Sequence, residues 1–500
     1  MSALELSVVI AYALLLLVLS VYGSHRYVMA YLYYRHKYRL PTPRGRFEQL
    51  PRVTVQLPIF NEMYVTERLI GAVAKLDYPR DLLEIQVLDD STDETQGIAR
   101  ACVDRHRAAG LDIVYVHRTN RKGFKAGALE NGLVTARGEF VAVFDADFTP
   151  GPEFLRRSIH HFTDPGVGMV QARWGHLNRD YSALTQAQAI LLDGHFVIEH
   201  TARNRSGRFF NFNGTAGIWR RQAIVDGGGW QHDTLTEDLD LSYRSQLAGW
   251  RFVYLPDLVT PAEVPVEMNA FKSQQHRWAK GSIQTALKLL PLIRRADVPK
   301  EVKKEAFFHL TANVGYLLMI PLTILLPITV VVRVSHGWYE VLLLDIPFFA
   351  AATFSVVSFY AASQAEQGKG WWARVKYVPL VMALGIGLAV NQARAVVEAL
   401  MGYETGFTRT PKHGVSRGES VAKKRYKAAV TFQPLVELAL AGYMTYGVMY
   451  LVEREVYYSL PFLVLFQVGF GYVGLASVYE GLRGRVVRWS RAPLPQPSAE

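Results

Sequence analysis

Long apolar segments near both ends of the chain constrain its fold more than any other feature. A helix needs roughly 20 apolar residues to cross about 30 Å of hydrocarbon. Runs of about this length cover residues 6–22, 310–334, 341–362, 430–452 and 457–479. Residues 35–305 between them have the mixed composition of a globular domain. We therefore predict a globular domain held between membrane spans.

Basic residues beside the apolar runs predict which side of the membrane the domain faces. Flanks rich in Lys and Arg lie at residues 25–46, 369–376, 409–427 and 482–491. Such flanks remain cytoplasmic, and five crossings keep all four inside. The net charge of +11 then favours membrane lipids as partners. No nucleic acid partner is expected, because the basic residues form no single patterned patch.

A sixth apolar segment, residues 377–402, has a different pattern. Polar side chains recur opposite its apolar positions at helical spacing: Asn391, Gln392, Arg394 and Glu398. This pattern suits a helix that lies in the membrane interface. The predicted organisation is an N-terminal anchor at 1–34, a globular domain at 35–305, a membrane region at 306–481 with the interfacial helix and following loop at about 377–427, and a cytosolic tail at 482–500.

Strand-like and helical patterns alternate between residues 52 and 249. Short runs rich in β-branched residues lie at 53–57, 84–88, 113–117 and 140–144. Alternation of this kind predicts an α/β domain with a largely parallel sheet, in which ligands bind beyond the carboxyl ends of the strands. Neither the dinucleotide fingerprint nor the P-loop motif occurs. A diphosphate must therefore be held in another way.

Two acidic pairs follow predicted strands. Asp145 and Asp147 point the same way in an extended chain and can share Mg²⁺ or Mn²⁺, which would bridge diphosphate oxygens; the alternative is a pair of solvated turn residues. Asp90, in Asp89-Asp90-Ser91, can accept a hydrogen bond from a nucleobase or a ribose. The alternative there is a helix start capped by Ser91.

Two later motifs carry groups that suit sugar transfer. In Thr236-Glu237-Asp238 we expect Asp238 to take the proton of an attacking hydroxyl; the alternative is an ordinary helix N-terminus. Residues 274–278 (QQHRW) place Gln274, Arg277 and Trp278 on one segment. There a guanidinium can bind diphosphate and a ring can face a sugar, although an interfacial Trp and Arg would also anchor a helix to headgroups.

The order Asp-Asp, Asp-Ala-Asp, Thr-Glu-Asp and Gln-x-x-Arg-Trp resembles the processive members of glycosyltransferase family 2. The segments 56–62 (QLPIFNE), 125–129 (KAGAL), 171–174 (QARW) and 212–219 (FNGTAGIW) are similar to the cellulose-synthase-like A and C branches, which make mannan, glucomannan or glucan backbones. The resemblance implies a GT-A nucleotide-sugar-binding domain, with a Rossmann-like fold, joined to a helical transmembrane bundle.

The resemblance also implies roles for particular residues. Nucleotide sugar and metal would be bound by Asp90, Lys125, Asp145, Asp147 and Arg277, with the metal on Asp145 and Asp147. The catalytic pair would be Asp238 with Glu237. The acceptor would contact Asn213, Gly214, Thr215, Gln274 and Trp278. Residues 407–412 (FTRTPK) lie where relatives keep a gating loop, so Thr410 and Lys412 are possible gate residues.

The expected function is inverting transfer from UDP-glucose or GDP-mannose to a β-linked polysaccharide of the β-1,4-glucan or mannan type, coupled to export. The membrane would be the plasma membrane in a bacterium and the Golgi in a plant. Alternatives are a nonprocessive enzyme with a glycolipid acceptor and a noncatalytic nucleotide-sugar transporter or receptor. Cys102 is the only cysteine, which excludes an intrachain disulfide and a cysteine-based zinc site.

Overall fold

The structure is a computed structural model that describes residues 2–338, 345–404, 406, 409–415, 419, 424, 431–457 and 459–489, without the side chains of 484–489. Within these residues lies a sheet of seven strands, in the order β3-β2-β1-β4-β6-β5-β7. The strands are β1 Val53–Ile59, β2 Leu83–Asp89, β3 Ile113–His117, β4 Phe140–Val143, β5 Val167–His176, β6 Gly217–Arg220 and β7 Arg251–Ala262.

The sheet is mixed, and its direction determines where ligands can bind. Strand β6 runs antiparallel to β4 and β5, whereas β1 pairs in parallel with both β2 and β4. The chain leaves β1 for β2 on one side and later returns to its other side with β4. Such a switch point opens a crevice at the carboxyl ends of the strands.

Both faces of the sheet are covered, which explains the apolar composition of its strands. Val53, Val55 and Leu57 of β1 are buried in the core on one face. Val141 and Val143 of β4 are buried in a second core on the other face. Parallel strands covered on both faces are nearly continuous hydrophobic runs. The four predicted strands are all present, with ends shifted by at most two residues.

Helices and short turns surround the sheet and lead toward the apolar part of the chain. The helices of this region are Thr66–Val73, Thr95–Ala108, Phe124–Thr135, Phe154–Ser158, Ala183–Asp193, Thr201–Arg205, Arg221–Asp226, Glu237–Leu247, Met268–Arg295 and Lys300–Thr311. A π-helical turn spans Gly194–His200. The 3₁₀ turns are Arg80–Leu82, Ile159–Thr163 and Arg179–Tyr181.

Five described helices are long and apolar enough to cross a membrane: Ala3–His36, Val314–Ser335, Asp345–Ala365, Gln433–Glu453 and Leu460–Arg483, the last being part of Leu460–Trp489. They match the five predicted runs. Residues 341–344, 430 and 458 of those runs, and residues 490–500 of the predicted tail, lie outside the described residues.

A buried polar cluster joins three of these helices. The guanidinium of Arg333 is 2.9 Å from Asp345 Oδ2, and the Tyr12 hydroxyl donates to the same oxygen at 2.9 Å. Each residue comes from a different helix. A buried charged pair must be satisfied within the protein, so this cluster fixes the three helices against one another.

The segment 377–402 differs from its prediction as a single interfacial helix. It forms two helices, Val378–Gly387 and Ala389–Leu400, and the unit Trp372–Gly387 is bent by 43° against the second. A short helix, Trp372–Val375, precedes them.

Three of the four polar side chains of this segment are buried, whereas Arg394 is exposed. Asn391, Gln392 and Glu398 are buried. The Asn391 amide donates to the carbonyl oxygen of Lys272 at 2.9 Å, and Glu398 lies 3.1 Å from the Lys280 ammonium. Asn391 and Glu398 therefore face the helix Met268–Arg295, because that helix supplies buried polar partners that periodicity cannot reveal.

Candidate active site

A cavity at the carboxyl ends of β1, β2 and β4 collects the predicted site residues. Its wall includes all of them except Thr215: Asp90, Lys125, Asp145, Asp147, Asn213, Gly214, Glu237, Asp238, Gln274, Arg277, Trp278, Thr410 and Lys412. Thr215 lies directly behind, where its hydroxyl accepts the backbone N–H of Asp145 at 2.8 Å. Residues up to 322 positions apart in sequence thus meet in one place.

The two carboxylates after β4 each face a lysine. Lys125 Nζ is 2.5 Å from Asp145 Oδ1 and donates to the carbonyl oxygen of Gly214 at 2.8 Å. Lys412 Nζ is 2.7 Å from Asp147 Oδ2. Burial raises the pKa of Asp145, although the Lys125 ammonium opposes this shift. The strand end therefore holds two carboxylates whose charge is already partly balanced.

The donor set at this strand end fits a hard divalent cation only together with a ligand. Among the described residues, no three His, Cys, Asp or Glu side chains are grouped as a metal site. Mg²⁺ is commonly bound through one or two carboxylates with substrate phosphates completing its shell. Asp145 and Asp147 can provide those two carboxylates.

The acidic motif lies at the start of the helix Glu237–Leu247. Burial and the neighbouring Glu237 carboxylate raise the pKa of Asp238 to about 7, and burial also raises the pKa of Glu237. The motif is both a helix N-terminus and part of the cavity wall. Leu239 and Tyr243 pack in a hydrophobic cluster, while Asp238 faces the cavity.

Gly214 allows the backbone to approach Asp238 closely. Its φ is +79°, and a Cβ at this position would lie 2.9 Å from Asp238 Oδ2 and 3.2 Å from Lys125 Nζ. A larger residue would be strained in this conformation and would crowd both groups. The predicted acceptor segment is therefore in contact with the predicted base.

The helix Met268–Arg295 forms the opposite wall through a second close approach. A Cβ at Gly281 would lie 2.6 Å from the side chain of Thr236, and Leu235 N donates to Gln284 Oε1 at 2.9 Å. One turn before Gly281, Arg277 faces the cavity. Burial lowers the pKa of the Arg277 guanidinium, and the nearby carboxylates of Glu237, Asp145 and Asp238 oppose that shift.

Asn213 is oriented by residues that the sequence did not indicate. Its side chain lies 2.5 Å from His200 Nε2 and 3.0 Å from His195 Nε2, and both histidines belong to the π-helical turn Gly194–His200. Its backbone N–H donates to Gln171 Oε1 at 3.0 Å. Such turns recur at functional sites, but no pattern in one amino-acid sequence predicts them.

The Asp-Asp-Ser motif departs from one part of its prediction. Ser91 does not cap the next helix, which begins at Thr95 after Glu94; its hydroxyl instead accepts the Asn61 N–H at 2.7 Å. Asp90 lines the cavity, where Arg118 binds both of its oxygens, at 2.9 and 2.5 Å. The loop between β1 and the helix Thr66–Val73 takes the hydrogen bond that a helix cap would have taken.

Further charged residues line the cavity without having been predicted as site residues: Glu62, Arg121, His176, Glu263 and Arg409. Burial, with the charges of Asp147 and Asp145, raises the pKa of Glu62 to about 8, against the opposing Arg409. Glu62 follows β1 by three residues, so the strand-end rule could have found it. Glu263 directly follows β7, so the same rule applies to it once that strand is known, whereas Arg409 comes from a distant segment and carries no such signal.

The predicted gate segment contributes to the mouth of the cavity. Lys412 Nζ donates to the carbonyl oxygen of Glu263 at 2.6 Å, and Gly414 N donates to Glu263 Oε2 at 3.1 Å. The remaining space is about 180 Å³, less than the roughly 300–1,000 Å³ of typical small-molecule pockets. Residues 405, 407–408, 416–418, 420–423 and 425–427 of the predicted segment lie outside the described residues.

Comparisons with known proteins agree with the fold and the motif order. Residues 51–281 match the family described as glycosyltransferase like family 2. Glucomannan 4-beta-mannosyltransferase 2 of Arabidopsis thaliana is 42% identical over 318 residues, 58% of this chain and 59% of the relative. Glucomannan 4-beta-mannosyltransferase 1 of Oryza sativa subsp. japonica is 41% identical over 293 residues, 55% of this chain and 56% of the relative.

The chain thus covers less than two thirds of these relatives' length. Among solved structures, the mannosyltransferase PcManGT from Pyrobaculum calidifontis, in complex with GDP-Man and Mn²⁺, is similar with a TM-score of 0.53 and 22% identity. That likeness covers 78% of this chain and 100% of the other. It confirms the predicted GT-A fold.

Proposed function

We propose that this chain, which carries a glycosyltransferase domain of family 2 over residues 51–281, is a membrane enzyme that extends a β-1,4-linked polysaccharide with sugar from a nucleotide diphosphate sugar. One observation carries the proposal. Asp145, Asp238 and Arg277, the groups needed for the diphosphate, the proton and the departing charge, line one cavity. The five long apolar helices support a membrane location for that chemistry.

Asp238 is the base of the proposed reaction. The acceptor hydroxyl oxygen attacks the anomeric carbon and its proton moves to the Asp238 carboxylate, while the bond to the diphosphate oxygen breaks. A general base works best with a pKa near the operating pH, and burial with Glu237 raises the pKa of Asp238 to about 7. One displacement without a covalent intermediate converts an α-linked donor into a β-linked product.

Arg277 and Lys125 stabilise the charge that gathers on the departing diphosphate. Both are cationic side chains at the cavity wall, and Arg277 offers a planar fork that matches phosphate oxygens. Groups fixed in place before reaction act without reorganisation, which makes them effective in a site shielded from water.

The carboxylates of Asp145 and Asp147 would hold Mg²⁺ or Mn²⁺ together with diphosphate oxygens. When bound, the ion would neutralise charge on the diphosphate. The chain's own part is to keep the two carboxylates together at the end of β4, with Thr215 holding the backbone N–H of Asp145.

GDP-mannose is the donor that the relatives favour. Both curated relatives are named 4-beta-mannosyltransferases of glucomannan, at 41–42% identity. UDP-glucose is the second candidate, because glucose and mannose differ only in the direction of one hydroxyl. The relatives' names favour a polysaccharide over a glycolipid product, and a nucleotide-sugar transporter or receptor would not need a base beside the diphosphate site.

The segment of Thr410 and Lys412 acts as a gate. Lys412 bonds to Asp147 and Glu263 across the cavity mouth, and the remaining space is too small for a nucleotide sugar. Entry of the donor therefore requires this segment to move, and closing would exclude water from the reacting groups.

The basic flanks orient the catalytic domain toward the cytoplasm, at the plasma membrane in a bacterium or the Golgi in a plant. Nucleotide sugar is made on that side, and a hydroxylated polymer cannot cross hydrocarbon unaided. Synthesis beside the spans then allows export of the product.

The test is incorporation by the purified full chain from radiolabelled GDP-mannose and UDP-glucose, with Mg²⁺ or Mn²⁺, followed by digestion with linkage-specific glycanases. We expect ethanol-insoluble product from GDP-mannose that a β-1,4-mannanase degrades. Product formed only from UDP-glucose would identify UDP-glucose as the donor instead. Product that is only organic-extractable would indicate a glycolipid rather than a polysaccharide. Absence of transfer from both donors would contradict the proposal that this chain is a glycosyltransferase.

A further inference from the structure

A second cavity lies next to the catalytic one and has a different character. Its volume is about 370 Å³, and it shares Trp174, Gly175 and His176 with the catalytic cavity. Three arginines line it: Arg173, Arg179 and Arg374. Its volume falls in the roughly 300–1,000 Å³ range of small-molecule sites.

The cavity lining contains three arginines and two carboxylates, Asp180 and Asp193. Arg179 is paired with Asp193, which also lies 3.2 Å from His176 Nε2. Arg173 and Arg374 form no ion pair with any described residue, and Arg173 Nε is buried without a hydrogen-bond partner there. Asp180, which also lines the cavity, accepts a hydrogen bond from the Gln186 amide. Arg173 and Arg374 thus have no ion-pair partner among the described residues.

Two of the arginines also meet at one neutral acceptor. Arg179 and Arg374 contact the same oxygen, Gln364 Oε1, at 3.4 and 3.5 Å. Like charges brought to one uncharged oxygen repel each other, and an anion between them would remove that cost. Arginine forks match the oxygens of a phosphate group.

The surroundings indicate a membrane source for such an anion. Arg374 follows the apolar helix Asp345–Ala365 by nine residues and lies in the short helix Trp372–Val375. Trp371 and Trp372 stack at 3.7 Å, and Trp372 is 72% exposed. Exposed tryptophan beside basic residues at the end of a span marks the headgroup level of a bilayer.

We propose that this cavity, lined by Arg173, Arg179 and Arg374, binds the phosphate of an anionic phospholipid headgroup. Basic pockets on the cytoplasmic side of membrane helices bind such headgroups. The bound phosphate would also contact the wall shared with the catalytic cavity, because His176 and Arg179 are linked through Asp193. Binding of a headgroup in this cavity can therefore affect the catalytic site through the shared wall.

The test uses the full chain purified in an uncharged detergent and titrated by calorimetry with dihexanoyl phosphatidylglycerol, dihexanoyl phosphatidylcholine or inorganic phosphate. We expect saturable binding of phosphatidylglycerol that is weaker by about tenfold or more in Arg374→Gln and in Arg173→Gln, since hydrogen bonds between charged groups are the stronger class. Phosphatidylcholine and inorganic phosphate should bind more weakly than phosphatidylglycerol.

Lys376→Gln is the matched control, because Lys376 belongs to the same basic segment but does not line the cavity. Its affinity should stay within threefold of the parent. An equal loss in Lys376→Gln and Arg374→Gln would show diffuse attraction and overturn the proposal. Inorganic phosphate that binds as tightly as phosphatidylglycerol would assign the cavity to a soluble anion instead.

Folding of the variants is checked by their melting temperatures without lipid, and Arg374→Lys provides a second test. Lysine keeps the charge but loses the planar fork, so its affinity should lie between those of the parent and Arg374→Gln. Parent-like affinity in both folded Arg374 variants would exclude this arginine from the site. The titration measures binding alone and is independent of the proposed transfer activity.

Discussion

Two walls of the catalytic cavity differ in how they are built. The floor is the strand-end wall with Asp90, Asp145 and Asp147, which lie within four residues of the ends of β2 and β4. The roof is formed by the helix Met268–Arg295 and residues 409–415, which reach the floor through contacts such as Lys412 to Asp147, 265 positions apart. The floor is local in sequence, whereas the roof depends on packing between distant segments.

This difference suggests a division of labour. The sheet holds the floor carboxylates in place, with Thr215 bonded to the backbone beside them. The roof contributes Arg277 from a helix and Lys412 from a segment without regular structure. A rigid floor suits binding of the diphosphate, and a roof that is partly loop allows the donor to enter. Variants of each wall should therefore affect different steps.

The largest effect is expected where the two walls meet, at Asp238. Asp238→Asn removes the proposed base and should reduce kcat by about a thousandfold, because general base catalysis contributes roughly 10²–10⁴. Donor affinity should change little. Steady-state transfer and direct donor binding separate the two. Asp233→Asn, at a carboxylate that is mostly exposed, is the control; a parent-like kcat in Asp238→Asn would remove the base from the account.

The roof guanidinium should give the next largest effect. Arg277→Gln should lower kcat roughly a hundredfold to a thousandfold, the loss seen when one preorganised charge-stabilising group is removed. Arg277→Lys should recover part of it, since the charge remains but the fork is lost. Arg295→Gln, on the same helix but exposed, should behave like the parent. Equal kinetics for both glutamine variants would contradict the role of Arg277.

The pH profile of the transfer rate should show the titration of Asp238, where the floor and the roof meet. Below the pKa of about 7 that burial and Glu237 give Asp238, the carboxylate is protonated and cannot accept a proton. The rate should fall about tenfold per pH unit on the acid side. Glu237→Gln removes the neighbouring charge and should move this limb to lower pH. A limb that stays in place would show that Glu237 does not influence the base.

The packing of the roof helix can be broken at one glycine. Gly281→Ala places a Cβ 2.6 Å from Thr236 and should cost about 1–3 kcal/mol of unfolding free energy, as overpacking does. Gly97→Ala is the matched control, because a Cβ there meets nothing within 4 Å. Melting temperatures of the two variants decide, and equal values would contradict the close approach.

The smallest effect is expected at the loop part of the roof. Lys412→Met removes the ion pair to Asp147 and the hydrogen bond to Glu263. We expect faster amide hydrogen exchange at residues 409–415 and a several-fold change in kcat/KM, because this contact is only one of those that hold the segment. Lys412→Arg should be milder. Unchanged exchange in Lys412→Met would mean that the pair does not hold the gate.

The floor was largely predictable from the sequence, and the roof less so. Asp145 and Asp147 follow a β-branched run, so strand periodicity and the strand-end rule locate them together. The buried partners of Asn391 and Glu398 come from the helix Met268–Arg295, and no periodicity distinguishes a polar face toward protein from one toward headgroups. The π-helical turn that orients Asn213 likewise depends on tertiary packing.

The ion-pair partners of the site residues could not be predicted from the sequence either. Arg118 binds Asp90 across 28 positions and Arg68 binds Glu263 across the domain, and neither pair has a local signature. Ser91 illustrates the same point, because its hydroxyl bonds to Asn61 on a neighbouring loop instead of capping a helix. The sequence can thus indicate which residues belong to a site, but the orientation of their side chains depends on tertiary contacts.

The stereochemistry of the first linkage tests the central claim most directly. With GDP-mannose and a short mannan acceptor, NMR of the product reports the configuration at the new anomeric carbon. A single displacement assisted by Asp238, without a carboxylate nucleophile, predicts a β-linkage from the α-linked donor. An α-linked product would require a second displacement and would contradict the account.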